Sequence, residues 1–423
     1  MREKRSFFVI LGIAVLALSA CGDPTPPSGG ELLWTLQFGT SEADRGTAVA
    51  FASDGRIAVA GDTRGDLVGQ SLGGRDVFVR LLAGDRAVVW ARQFGTPVDD
   101  VANGLAFHPD GGLVVAGFTY GDLGGANAGA IDAFVRRLDT VGQAAWTHQF
   151  GSAAHDVIDA LAIDADGSIV VAGTTGGALQ GVNLGANDAF VRKLEADGGH
   201  RWTRQFGSGG EDFAIGVAAG PGGRVAVGGG TIGDLADPGA VSRGDNDAFV
   251  RVFDADGDVL WTDQFGTDRD DHVFGVAFAV DGRLFAVGET DGALAAPNAG
   301  ARDVFVRAYG PVGEVLWTRQ FGGVESDHAT GVAVAGSDHV VVSGATMGAL
   351  AGASEGSSDA FVARIGPTGA VTWIRQFGTA AAEHTRAIAI GPDGQAVVVG
   401  TTAGALDGTS YGEDDAFLRA YGP

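Results

Sequence analysis

Short apolar runs rich in Val, Ala, Leu and Phe alternate with clusters of Gly, Asp, Ser and Asn along almost the whole chain. From residue 31 onward no stretch of useful length shows the 3.6-residue period of an amphipathic helix, so the runs read as strands. Many of them are apolar at consecutive positions, the pattern of strands covered on both faces. Hairpin signals separate them: Asp54-Gly55, Asp110-Gly111, Asp166-Gly167, Asp281-Gly282 and Asp393-Gly394.

The runs recur with a long period. The phrase Trp34-Thr35-Leu36-Gln37-Phe38-Gly39-Thr40 returns with its tryptophan at Trp90, Trp146, Trp202, Trp261, Trp317 and Trp373, which together are all 7 tryptophans. The intervals are 56 residues, except for one of 59 between Trp202 and Trp261. Five residues after each Phe-Gly stands an acid: Asp44, Asp100, Asp156, Asp212, Asp271, Asp327 and Glu383. A strand of small residues follows, then the hairpin turn. A β-branched strand comes next, whose Gly is Gly61, Gly117, Gly173, Gly229, Gly288, Gly344 or Gly400. After a Gly-rich loop, an Asp-Ala/Val-Phe strand opens at Asp76, Asp132, Asp188, Asp247, Asp303, Asp359 or Asp415. The three extra residues of the long interval fall between Leu235 and Asp247, in a loop where they disturb no ladder.

Four strands per unit and a period of this length predict an all-β, closed seven-bladed β-propeller over residues 31–423. Ala and Gly on the first strand permit close approach around the axis, and Trp and Phe fill the wider space outside. The first copy begins at its Trp strand and the last stops one strand short, so the N-terminal strand is expected to complete the last blade and remove two sheet edges.

The N-terminal residues add an address. Met1-Arg2-Glu3-Lys4-Arg5, an apolar run from Phe7 to Leu18 and then Ser19-Ala20-Cys21 have the layout of a secretory signal peptide over residues 1–20. Leu18-Ser19-Ala20-Cys21 resembles the bacterial lipobox, which implies that Cys21, the single cysteine, is lipidated and anchors the chain. Residues 21–30 then read as a flexible tether. Gly22, where an aspartate would imply inner-membrane retention, points to the outer membrane or an outward-facing surface of the cell envelope. Cleavage leaves 25 basic against 51 acidic residues, a charge of −26 that repels nucleic acid and favours cationic partners.

The recurrent Trp-x-x-x-Phe-Gly, acid, Asp-Gly, Gly-x-Thr and Asp-Ala-Phe-Val series resembles the bacterial SBBP β-propeller repeat family over residues 31–423. The resemblance implies the propeller fold in exported or surface proteins, and no particular activity. The chain departs from the pattern at Gly222, Ser337 and Glu383, where Asp is usual.

Two readings of the chemistry follow. The acids Asp44, Asp100, Asp156, Asp212, Asp271, Asp327 and Glu383 would ring the channel mouth on the face of the Phe-Gly loops and hold calcium, another divalent cation or a basic ligand. Alternatively each caps its own loop by accepting backbone N–H groups. His272, His328 and His384 occupy one loop position in three consecutive repeats and are candidate metal ligands, with His155 a further neighbour of an acid. The zinc-protease and phosphate-loop motifs are missing from the sequence. The favoured function is a monomeric, non-catalytic, lipid-anchored module that binds a protein, peptide or glycan of the envelope and touches the membrane only through its anchor. The alternative is an extracytoplasmic hydrolase or lyase with its site over the channel.

Overall fold

Every repeat forms one antiparallel sheet of four strands, and the seven sheets stand in a ring as the blades of a β-propeller. The computed structural model describes residues 29–235, 242–336 and 338–423; residues 1–20, Cys21, the tether up to residue 28, and Ser337 lie outside the described residues. Blades 1 to 6 span residues 44–94, 100–150, 156–206, 212–265, 271–321 and 327–377. Blade 7 contains Glu383–Ile390, Ala396–Thr402 and Asp415–Tyr421, and its outermost strand is Leu32–Phe38, paired with Asp415–Tyr421. The expected closure by the N-terminal strand is therefore present. Among the described residues no helix is long and apolar enough to cross a membrane.

The core lies between blades. One cluster joins Val77, Val79 and Leu81 of blade 1 to Leu105, Val115 and Phe134 of blade 2, and six comparable clusters repeat this around the ring. The phenylalanine of each Gln-Phe-Gly meets the Asp-x-Phe ring of the next blade edge-to-face, with centroids 5.6–6.5 Å apart, from Phe38–Phe78 to Phe377–Phe417.

The tryptophans secure the outer rim. Gly142, Gly257, Gly313 and Gly369, each at the last turn of a blade, lie against Trp90, Trp202, Trp261 and Trp317 of the preceding blade. Their φ values of 77–94° and the 2.7–2.9 Å that would separate an added Cβ from the indole both require glycine. In blade 1 the turn residue is Arg86, at φ 73°, and its guanidinium sits 5.6 Å over Trp34.

Blade 7 has no such turn, because its outer strand comes from the start of the chain. Gly29 and Gly30 take its place: Gly30, at φ 68°, lies on Trp373, and Arg375 donates to the carbonyls of Gly29 (2.6 Å) and Gly30 (3.0 Å). Arg92 holds Val141 and Gly142 in the same way, and Arg204 holds Asp256 and Gly257. The closing strand thus enters through the glycine-on-indole contact that the last turns of blades 2 to 6 make.

Deleting Asp415–Pro423 would remove the partner of Leu32–Phe38 along its whole length and should lower the melting temperature by more than ~10 °C. Arg375→Ala, which loses the bonds to the Gly29, Gly30 and Ile374 carbonyls and the contact over Trp373, should cost about 1–2 kcal/mol. Thermal unfolding of both variants checks this; a deletion variant melting within a degree or two of the parent would rule out the closure as the stabilising feature.

Candidate functional site at the channel mouth

The corner at Gln-Phe-Gly positions everything on the face where the inner strands begin. Each glutamine, from Gln37 to Gln376, donates to the Asp that opens the third strand (2.7–3.0 Å) and to a glycine carbonyl of the long loop (2.8–3.0 Å). Its Oε1 accepts a backbone N–H of the same loop, such as Leu123 or Leu350. The following glycine lies against that Asp: a Cβ on Gly39, Gly95 or Gly322 would stand 2.1–2.2 Å from Oδ1 of Asp415, Asp76 or Asp303. The glycine is required because a carboxylate occupies the side-chain position.

Asp44, Asp100, Asp156, Asp212, Asp271, Asp327 and Glu383 stand beside these corners, all with 0% exposure. Each accepts the N–H of the residue four positions earlier at 2.5–2.7 Å, and six also accept that residue's hydroxyl. This is the loop-capping geometry, one carboxylate to one loop. Burial raises the carboxyls of Asp44, Asp100, Asp212, Asp271 and Asp327 despite those bonds. The seven acids stand behind the mouth, without exposed carboxylates at its rim.

The mouth is built instead by a β-bulge. In each inner strand the register with the second strand slips by one residue, between Gly46 and Ala48 in blade 1 and at the same place in the other six. The seven bulge positions hold Thr47, Asn103, Asp159, Ile215, Phe274, Thr330 and Arg386, and all line the channel. The next position is Ala or Gly in every blade and the one after is Val, Leu or Ile, forming an apolar throat of about 220 Å³. Above it the channel opens into a funnel of about 550 Å³. Three bulge residues serve the ring itself: Thr47 donates to the Ala102 carbonyl (2.6 Å), Asn103 to the Ile158 carbonyl (2.9 Å), and the Thr330 hydroxyl bonds that of Thr385 (3.2 Å), each in the next blade.

The funnel is lopsided. Val101, Phe118, Ile215 and Phe274 give one side an apolar surface, whereas Arg45, Arg75 and Arg386 meet on the blade 7 and blade 1 side, with Arg302 nearby in blade 5. Arg75 pairs with Asp62 at 3.7 Å and Arg45 with Asp414 at 3.7 Å; Arg302 holds Glu289 (2.9 Å) and Asp291 (3.0 Å). Burial pushes the Asp62 carboxyl up to about 6 although three arginines surround it. Asp159, across the channel, is raised to about 7 by its enclosure in the ring.

His272, His328 and His384 occupy the second position of the inner strands of blades 5, 6 and 7. His272 sits between Phe213 and Phe274 and bonds Glu289 at 3.3 Å. Burial lowers the pKa of His328 and His384, and the arginines around them add to it. The three are not gathered as a metal-ligand set: among the described residues no group of three or more His, Cys, Asp or Glu side chains is placed to hold a metal ion. The sequence reading missed the bulge residues, although the signal was there as an inner-strand column that mixes polar, charged, aliphatic and aromatic residues just before the Ala/Gly column.

A second cavity, of about 580 Å³, opens on the opposite face among the hairpin turns of blades 3 to 5, around Pro221, Phe278 and Val280. The Asp164 carboxylate there is taken by Lys193 at 2.7 Å. The entry of Leu32–Phe38 is on this opposite face too, because that strand reaches the funnel side only at Phe38.

No protein-family model matches the chain. The structure resembles the WD40 β-propeller domain of Doa1, with a TM-score of 0.52 at 12% identity over 93% of this chain and 97% of that one. It also resembles a structure of YCF48 bound to D1 peptide, with a TM-score of 0.46 at 12% identity over 94% and 97% of the two chains. A curated protein, the regulatory protein FlaEY of Caulobacter vibrioides, is 29% identical over 179 residues, or 38% of this chain; the match spans 18% of that relative's length. Blade count, topology and the Doa1 likeness make this a seven-bladed β-propeller repeat protein.

A carboxyl raised in the folded state favours folding when protonated: its contribution is complete below the unfolded value near ~4 and is lost as pH rises through the folded value. Lowering pH from about 8 to about 5 should therefore raise stability through Asp159 and Asp62. His328 and His384 act oppositely, since their lowered values favour the neutral ring and that contribution falls away below about 6.5. The readable quantity is the difference between parent and Asp159→Asn, which should lose part of the rise. Denaturant midpoints across this range check it, and identical profiles would mean that channel water solvates Asp159 fully.

Proposed function

We propose that this protein is a non-catalytic binding module, anchored by a lipid on Cys21 at the bacterial cell envelope and facing outward, that acts as a monomer and presents the channel mouth to a protein, peptide or glycan. One observation carries the reading of the mouth: the scaffold positions repeat seven times, while the bulge residues aimed into the channel differ from blade to blade. A ring that only needed filling would repeat its residues there as it does one position further on, where all seven are Ala or Gly. The fold supports a binding role, since a propeller offers a rigid concave surface at its axis. The tether side supports the orientation: the chain enters on the face away from the funnel, leaving the mouth clear of an anchoring membrane.

Two outcomes test this. With the mature chain as bait in native envelope extracts, Ile215→Ser with Phe274→Ser should abolish capture of a partner that Val280→Ser, on the opposite face, still captures. A partner that ignores the mouth variant would overturn the site. For the address, Cys21→Ser should release the protein from membranes under alkaline and high-salt washing; a substituted protein still fully retained would refute the lipid anchor.

A further inference from the structure

Arg386 is the bulge residue of blade 7, and its surroundings differ from those of the other arginines at the mouth, each of which faces an acid. It is exposed to the lumen, and among the described residues it has neither a hydrogen bond nor an ion pair. Burial lowers its guanidinium pKa and the neighbouring Arg45 lowers it further, while the Asp62 carboxylate opposes the shift; Arg386, Arg45 and Arg75 thus share that one acid, which makes no direct bond to Arg386. The nearby acids are committed or set back. Asp414 faces Arg45 at 3.7 Å, and Asp62, with 3% exposure, faces Arg75 at 3.7 Å. Asp99 accepts the Arg75 N–H at 2.9 Å. Both ion-pair separations exceed hydrogen-bond length, which leaves guanidinium donors of Arg45 and Arg75 free to turn toward the lumen. All this sits in a chain whose formal charge is −24, so arginines clustered around an opening are not the average surface.

The opposite wall carries Ile215 and Phe274 at the bulge level beside Asp159, whose carboxyl burial raises to about 7, and beneath them the throat is lined by Val, Leu and Ile. A bare inorganic anion would use the arginines and leave that wall wet. The volume of about 550 Å³ lies in the ordinary range for a small organic ligand.

We propose that the channel mouth binds an organic carboxylate with an apolar body, its carboxylate seated on Arg386 beside Arg45 and Arg75 and its body against Phe274, Ile215 and the throat. This rests on the reading of the mouth as the binding face and adds the chemical class of what it recognises. A planar guanidinium matches a carboxylate with two parallel hydrogen bonds, which an ammonium cannot reproduce. The ligand carboxylate would supply the direct partner that Arg386 lacks, and the apolar contacts would supply selection among anions.

The test uses the purified protein with 4-phenylbutyrate as probe, read by isothermal titration and by the shift in melting temperature. The parent should bind with a dissociation constant of about 1 mM or tighter. The uncharged amide of the probe, and inorganic sulfate, should each bind at least about tenfold more weakly. Arg386→Ala should weaken the probe at least about tenfold while melting like the parent without ligand, because the side chain makes no bond to lose; Arg386→Lys should fall between them. No binding to the parent at about 10 mM, equal binding of amide or sulfate, or an unchanged affinity in Arg386→Ala would each overturn the proposal. Partner capture that is lost with Ile215→Ser and Phe274→Ser but untouched by Arg386→Ala would overturn it too while leaving the mouth as the binding face.

Discussion

The structure depends on a corner in which one glutamine, one phenylalanine and one glycine each answer a different demand of the ring. Glutamine ties the long loop to the third strand through the Asp carboxylate, as Gln93 does with Asp76 at 2.9 Å and the Gly65 carbonyl at 3.0 Å. Phenylalanine packs edge-to-face on the next blade, and glycine makes room for the carboxylate that glutamine has oriented. Removing any of the three would leave a buried carboxylate short of donors or a gap between blades, which is why the phrase recurs as a unit. The tryptophan belongs to the other end of the same strand, where it receives the glycine turn of its neighbour.

The bulge has a separate origin in the inner strand. Around the axis, backbones approach closely enough that a Cβ on Gly216 would lie 3.1 Å from the Gly275 Cα, so the wall there must be Ala or Gly. A regular strand under that constraint would line the channel with small residues alone. One extra residue per blade escapes it, because the bulge swings that side chain into open space, where size is unrestricted and no ladder bond is at stake. Phe274 and Arg386 can therefore occupy equivalent places in blades that are otherwise alike.

The repeat made blade number, strand count and closing strand readable, since each follows from spacing alone. The roles of the acids were not readable in the same way. A carboxylate that caps a loop and one that faces a ligand both require the same residue at the same position in every copy, and only burial separates them: Asp100 and Asp271 have 0% exposure, with their own loops' N–H groups at 2.5 and 2.6 Å. Recurrence therefore marks the scaffold. The residues at the mouth do not recur, and strict alternation along a strand does not anticipate a bulge. The leader and Cys21 lie outside the described residues, so the address rests on the sequence pattern.

Seven-fold repetition also explains why the mouth is lopsided. Identical blades produce a symmetric field at the axis, and a symmetric field can hold a symmetric ligand or none in any preferred orientation. Placing Arg386 and Arg45 on adjacent blades and Phe274 and Ile215 on two others breaks that symmetry with four side chains and no change of backbone. An amphipathic guest would then have one orientation in which its charge and its apolar surface are both matched; turned half-way round, it would face Asp159 with its charge and the arginines with its apolar part. Orientation selectivity would thus be obtained where substitution costs the fold least, at bulge side chains such as Arg386 that bond to nothing else in the described structure.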